Sequence, residues 1–214
     1  MEVEIIKVKE KLADNELIQA IRYLEQEKTV VFPTDTVYGI GADLFKEKAV
    51  KNLFEIKKRP LDKPINALVS SMKQAEMIVE NIPDSAKKLI KEFWPGGLTI
   101  ILKKKDIVPD IVTAGRETIG VRKPNNEIIL QILEKFGKPL AATSANISGL
   151  TSPITAKEVL QQLGEKSYLL IDGGKTIEKQ PSTIIDLSSK KPLILRKGSV
   201  SVEKIKEILP SIIE

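Results

Sequence analysis

Three short segments hold more hydroxyls, amides and cations than a surface turn needs. The first is Pro33-Thr34-Asp35-Thr36-Val37-Tyr38-Gly39-Ile40-Gly41, which follows an apolar run. Its glycines permit close backbone approach and its threonines offer short, stiff hydroxyls. A strand-to-helix turn capped by Thr or Asp accounts for the segment equally well. A dinucleotide fingerprint does not fit, because Leu44 stands where its third glycine would be.

The second segment is Lys57-Lys58-Arg59-Pro60-Leu61-Asp62-Lys63-Pro64. Its cations complement a helix C-terminus, while its prolines stiffen a loop that could hold charge against a phosphate. The third is Thr143-Ser144-Ala145-Asn146-Ile147-Ser148-Gly149, either an Asx or Ser turn or a set of directed hydrogen bonds to a nucleotide or substrate. Two further stretches are decoys. Asp172-Gly173-Gly174-Lys175-Thr176 lacks the leading glycine of a phosphate-binding loop, since residue 169 is leucine. Lys103-Lys104-Lys105 reads as a solvated strand end, with no aromatic residue interleaved for RNA stacking.

Composition narrows the chemistry. The 214 residues include no Cys and no His. Disulfides, thiolate nucleophiles, Cys/His zinc sites and the Ser-His-Asp triad are therefore excluded. Lys, Arg, carboxylates, hydroxyls and backbone must do the work. Charges of both signs are interspersed and leave a net +5, too little to imply nucleic acid. The acidic start at Met1-Glu2 and the lack of any long apolar stretch read as a cytoplasmic protein with no membrane partner.

The elements that must position these segments alternate between strand and helix periods. Strands are expected over 3–5 with Val8, and over 29–32, 65–69, 98–102, 119–122, 140–143, 168–171, 183–187 and 193–195. Helical spacing predicts a helix capped by Asp14 or Asn15 and another through Ala49 and Ile56, ended by Pro60. Further helices are expected after Asp84, from Ile128 to a stop at Gly137, and over 156–163 and 202–209. No linker or repeat divides the chain. The expected fold is a single α/β domain over residues 1–214 with a large mixed sheet.

Taken together, the segments resemble the YrdC/TsaC family of threonylcarbamoyl-AMP synthases. The matching pieces are Pro33 to Gly39, the Lys-x-Arg of Lys57 and Arg59, Trp94-Pro95-Gly96, and the Ser-x-Asn of Ser144 and Asn146. Pro181-Ser182-Thr183-Ile184-Ile185-Asp186 and Arg196-Lys197-Gly198 complete the set, in the family's order from about residue 14 to about 200. The resemblance implies an open twisted mixed sheet with flanking helices around a large basic cavity, in the family's single-domain form with no second C-terminal domain. It also implies a reaction: L-threonine, bicarbonate or CO₂, and ATP give L-threonylcarbamoyladenylate and pyrophosphate, with Mg²⁺ on the triphosphate. A downstream complex then transfers the threonylcarbamoyl group to tRNA, and weak direct RNA binding is compatible with this. The resemblance assigns Lys57, Arg59, Ser144 and Asn146 to catalysis. It assigns Thr36, Arg122, Ala142 and Ser182 to threonine, and Arg59, Lys63, Thr118, Ser144, Ser152 and Arg196 to ATP. No protein metal ligands are expected. Leu68 stands where some members carry a threonine-contacting His. The rival readings are an RNA-binding module without catalysis and the related domain of hydrogenase-maturation carbamoyltransferases, which is accompanied by cysteine-rich zinc modules.

Overall fold

The computed structural model describes residues 3–164 and 168–213; Met1-Glu2 and Glu214 lie outside the described residues. Ten strands form one mixed sheet, and the chain visits it far from sequence order. The strands are β1 (Glu4–Lys7), β2 (Thr29–Phe32), β3 (Gly39–Asp43), β4 (Asn66–Leu68), β5 (Leu98–Lys103), β6 (Thr118–Arg122), β7 (Leu140–Ser144), β8 (Tyr168–Asp172), β9 (Thr183–Asp186) and β10 (Leu193–Arg196). Across the sheet they run β1-β8-β2-β3-β7-β4-β6-β5-β9-β10. The helices are α1 (Asp14–Glu25), α2 (Glu47–Lys57), α3 (Met72–Ile78), α4 (Asp84–Phe93), α5 (Asp110–Thr113), α6 (Glu127–Phe136), α7 (Ala156–Leu163) and α8 (Val202–Ile208).

Side chains alternate across a strand, so each strand feeds two cores. Val31 of β2, Leu170 of β8, Ala141 of β7, Val121 of β6 and Ile100 of β5 all enter one large core, together with α2, α4, α7 and α8. The opposite face carries a smaller core. There Val30, Phe32, Leu140, Ala142, Leu169 and Ile171 pack beneath α1 and α6. Among the described residues, β5, β6, β9 and β10 contribute nothing to that second core. The part of that face over these four strands is therefore not covered by the α1–α6 core, and the cleft described below opens there.

Several ends differ from the sequence reading. The N-cap of α1 is Ala13, not Asp14 or Asn15: Glu16 reaches back to accept the Ala13 N–H at 2.8 Å, so a carboxylate three residues in does the capping. α2 stops at Lys57 because Lys58 turns left-handed (φ 50°), before Pro60 is reached. The segment after Pro33 leads into a strand, β3, and not a helix. β3 pairs antiparallel with β2, Phe32 facing Gly39. Its glycines fit because a Cβ on Gly39 would stand 2.8 Å from the Phe32 ring. Lys104 is not solvated: it is 7% exposed and its Nζ donates to the Val108 carbonyl and pairs with Asp110, both at 3.2 Å. Asp172 to Thr176 runs on toward β9 with no helix between, and Asp172 Oδ1 accepts the Gly174 N–H at 3.1 Å as a local turn.

Candidate active site

The loop between β2 and β3 is built by one hydroxyl. Thr34 Oγ1 accepts the N–H groups of Thr36 (3.1 Å) and Val37 (3.2 Å) and donates to the Val37 carbonyl at 2.7 Å. This turn presents Asp35 and Thr36 to Arg122 at the end of β6. Ile119 and Val121 face the large core, so Arg122 emerges on the uncovered face. Its Nη2 donates to Asp35 Oδ1 at 2.6 Å, its Nη1 to Thr36 Oγ1 at 2.8 Å and its Nε to the Gly96 carbonyl at 2.9 Å. The pair is buried, with side chains 7% and 8% exposed. Asp35 Oδ1 also accepts the Asn125 N–H at 3.1 Å. Of the five guanidinium N–H groups, these bonds leave two for a ligand.

Beside Arg122 opens a solvent-connected cleft of about 580 Å³, counting its open mouth. Thr36, Arg122, Ala142, Ser144, Ser152, Ser182 and Arg196 all line it, so seven of the residues named from sequence share one chamber. Leu68 lines it as well, in register with Arg122 on the neighbouring strand. Arg196 Nε and Nη2 donate to the Ser182 carbonyl at 3.0 and 2.8 Å, and Nη2 also reaches Ser182 Oγ at 3.1 Å. Desolvation, then repulsion by Arg122, pushes the Arg196 pKa down. Two guanidinium groups facing one space favour an anion there.

Lys57, Ser144 and Asn146 also gather, although only Ser144 reaches the cleft wall. Lys57 is 1% exposed, and its Nζ donates to the carbonyl of Ser144, to that of Asn146 at 2.5 Å and to Asn146 Oδ1 at 3.4 Å. Asn146 Nδ2 donates to the carbonyls of Ile147 (2.8 Å) and Leu150 (2.7 Å), while its Oδ1 accepts from the Ser144 hydroxyl. Lys57 is thus the peg that shapes the turn carrying Ser144. Burial, and secondarily Arg59, push its pKa down to about 7. Arg59, Lys63 and Thr118 lie outside the cleft wall. Arg59 gives its Nε to the Lys63 carbonyl (3.1 Å) and its Nη2 to that of Pro64 (2.7 Å).

Comparison with known proteins agrees with this architecture. The sequence model of the Sua5/YciO/YrdC family, described as telomere recombination, matches residues 22–198. The chain belongs to the Sua5/YciO/YrdC family. It is 41% identical over 208 residues to the threonylcarbamoyl-AMP synthase of Pyrococcus abyssi, covering 97% of this chain and 61% of that protein. It is 39% identical over 206 residues to a putative threonylcarbamoyl-AMP synthase of Methanocaldococcus jannaschii, covering 94% of this chain and 96% of that protein. The crystal structure of Pyrococcus abyssi Sua5 complexed with L-threonine superposes with a TM-score of 0.94 at 41% identity, over 98% of this chain and 62% of that one. The chain therefore spans about three-fifths of its Pyrococcus abyssi relative.

Thr34 and Tyr38, which the first segment contained without an individual role, also line the wall of this Sua5/YciO/YrdC chain, as do Asn66 and Thr99, which sequence reasoning passed over. Thr99 had a readable signal, a single hydroxyl in the apolar run Leu98-Thr99-Ile100-Ile101-Leu102. Asp35, read from sequence only as a possible cap, instead partners Arg122.

Proposed function

We propose that the chain is an L-threonylcarbamoyladenylate synthase. The observation that carries this reading is the shared chamber: two arginines and short hydroxyls converge on one cleft, in a family one of whose members has been solved with L-threonine. The amine of threonine adds to the carbon of CO₂ and loses a proton, giving a carbamate. A carbamate oxygen then attacks the α-phosphorus of ATP, the bond to the bridging oxygen breaks, and pyrophosphate leaves. Starting from bicarbonate, one water is released as well. No protein nucleophile is required, which suits a chain without Cys or His; the site supplies positioning and charge stabilisation.

In this reading Thr36, Arg122, Ala142 and Ser182 seat the amino acid, the two spare N–H groups of Arg122 meeting its carboxylate. Arg196, Ser144 and Ser152 face the nucleotide from the same chamber, with Arg59, Lys63 and Thr118 reaching it from the rim. Arg fits phosphate in a fork that Lys cannot copy. Among the described residues no three acidic side chains gather to hold a metal, and Asp35 is engaged by Arg122 and Asn125. Mg²⁺ therefore fits as part of the nucleotide substrate, carried on triphosphate oxygens whose charge it neutralises. A downstream complex would take the adenylate and transfer its threonylcarbamoyl group to tRNA. The test is pyrophosphate release from ATP, which should require both threonine and bicarbonate. Release without either, or RNA binding with no release at all, overturns the proposal.

A further inference from the structure

Thr99 sits on β5 with its neighbours Leu98 and Ile100 in the large core, so its own side chain faces the uncovered side. It is 1% exposed and lines the cleft wall. Gly120, on the adjacent strand, has no side chain, and a Cβ added there would stand 3.2 Å from the Thr99 methyl Cγ2. The missing Cβ gives that methyl its berth. A β-branched side chain so placed has little freedom at χ1, and its hydroxyl is held 2.8 Å from Ser182 Oγ.

Proton counting then decides the polarity of that contact. A hydroxyl has one proton and two lone pairs. Among the described residues, Ser182 Oγ is the one hydrogen-bond partner of Thr99 Oγ1. Were Ser182 the donor, the proton of Thr99, the less exposed of the two residues at 1% against 5%, would have no protein acceptor among the described residues, an arrangement that folded proteins disfavour. Thr99 is accordingly the donor. Arg196 Nη2 donates to the same Ser182 oxygen at 3.1 Å. Both lone pairs of Ser182 Oγ are thereby occupied from within the protein, and its own proton is left to the cleft.

We infer that Thr99 is a positioning residue: by donating to Ser182 Oγ it makes the Ser182 hydroxyl an obligatory donor toward the ligand, so that this corner of the cleft accepts an anionic group and rejects an ammonium. The inference rests on the synthase reading, in which the group is the carboxylate of L-threonine. An ammonium offers only protons and finds no acceptor on Ser182. Thr99 thus fixes which way round the amino acid binds without touching it.

The test is calorimetric titration of L-threonine, and of L-threoninol, which lacks the carboxylate, into the wild type and four variants. Thr99→Val removes the hydroxyl at nearly constant shape and should weaken L-threonine about tenfold, the scale of one hydrogen bond. It should also shrink the preference for L-threonine over L-threoninol. Thr99→Ser keeps the hydroxyl and should stay within about threefold of wild type, well inside that scale. In a Ser182→Ala background, adding Thr99→Val should cost nothing further, because Thr99 acts through Ser182. A Thr99→Val protein that binds like wild type overturns the inference. So does an equal loss with and without Ser182, which marks a merely structural role. Should Thr99→Val fail to fold, Thr99→Ser decides: a tenfold loss there overturns the claim that the hydroxyl is what matters. A wild-type protein that takes up no L-threonine instead defeats the synthase reading, and this inference with it.

Discussion

The inner wall of the cleft and the basic loop beyond α2 hold their cations in opposite ways. Arg122 lies on a central strand, 7% exposed, with partners drawn from the β2–β3 loop and from Gly96. Arg59 gives its fork to carbonyls only four and five residues along its own chain. Strand register and a buried ion pair fix the first arrangement; the second is a local arrangement that phosphate oxygens could replace with stronger charge-assisted bonds. Lys57 joins the two regions, since it ends α2 yet pegs the turn after β7. In the proposed reading the inner wall seats a small zwitterion. In the same reading the rim's cations are recruited by the triphosphate.

The largest effect expected from breaking this contrast is on the inner wall. Arg122→Ala leaves the Asp35 carboxylate buried without its partner, and removing one member of a buried pair costs about 3–5 kcal/mol. Denaturant melts should show that loss, and Asp35→Asn combined with Arg122→Gln should recover much of the stability without recovering activity. An Arg122→Ala protein as stable as wild type would mean that the pair does not hold the wall. Next comes Lys57→Met, which strands the Ser144 and Asn146 carbonyls at about 1–3 kcal/mol for each buried group left unpaired. Adenylate formation should be lost, and the Ser148 amide, which donates to the Lys57 carbonyl at 2.9 Å, should exchange faster with deuterium.

A pH series sharpens the same point. Burial lowers the Lys57 pKa from 10.5 to about 7, so between those values the unfolded chain binds more protons than the folded one. Stability should therefore rise with pH across that window, and Lys57→Met should flatten the rise. A wild-type protein whose melts are level from pH 7 to 10 would show that the surrounding oxygens keep the ammonium charged. Smallest in its effect on the fold is Arg59→Ala, whose bonds are local and partly exposed. Its stability should change by no more than about 1 kcal/mol, while the KM for ATP rises about tenfold and that for threonine holds, as for one lost charge-assisted contact. A collapse of stability would erase the distinction between wall and rim.

Much of this was legible in the chain because period and burial coincide. The run 168–171, for one, is apolar for a physical reason: Tyr168 and Leu170 enter the large core and Leu169 and Ile171 the smaller one, so both of its faces are covered. β3 was not legible, because Gly-Ile-Gly-Ala-Asp has weak strand propensity and becomes a strand only between β2 and β7, with the Phe32 ring over its glycines. α3 and α5, with seven and four residues, are too short for a helical repeat to stand out. At the site, Lys57, Ser144 and Asn146 were readable as motifs, but their service to one another was not. The partnership of Asp35 with Arg122 spans 87 residues of sequence, and nothing local announces it.

The central claim is that amino acid and nucleotide meet on the uncovered part of the sheet. Incubation with ATP, Mg²⁺, L-threonine and ¹³C-bicarbonate, followed by mass spectrometry of the nucleotide product, tests it most directly. The account predicts an adenylate carrying the threonylcarbamoyl group with one heavy carbon from the wild type, and none from a folded Ser182→Ala, Arg196→Ala double variant. An unlabelled product, or a labelled one formed undiminished by that variant, would contradict it.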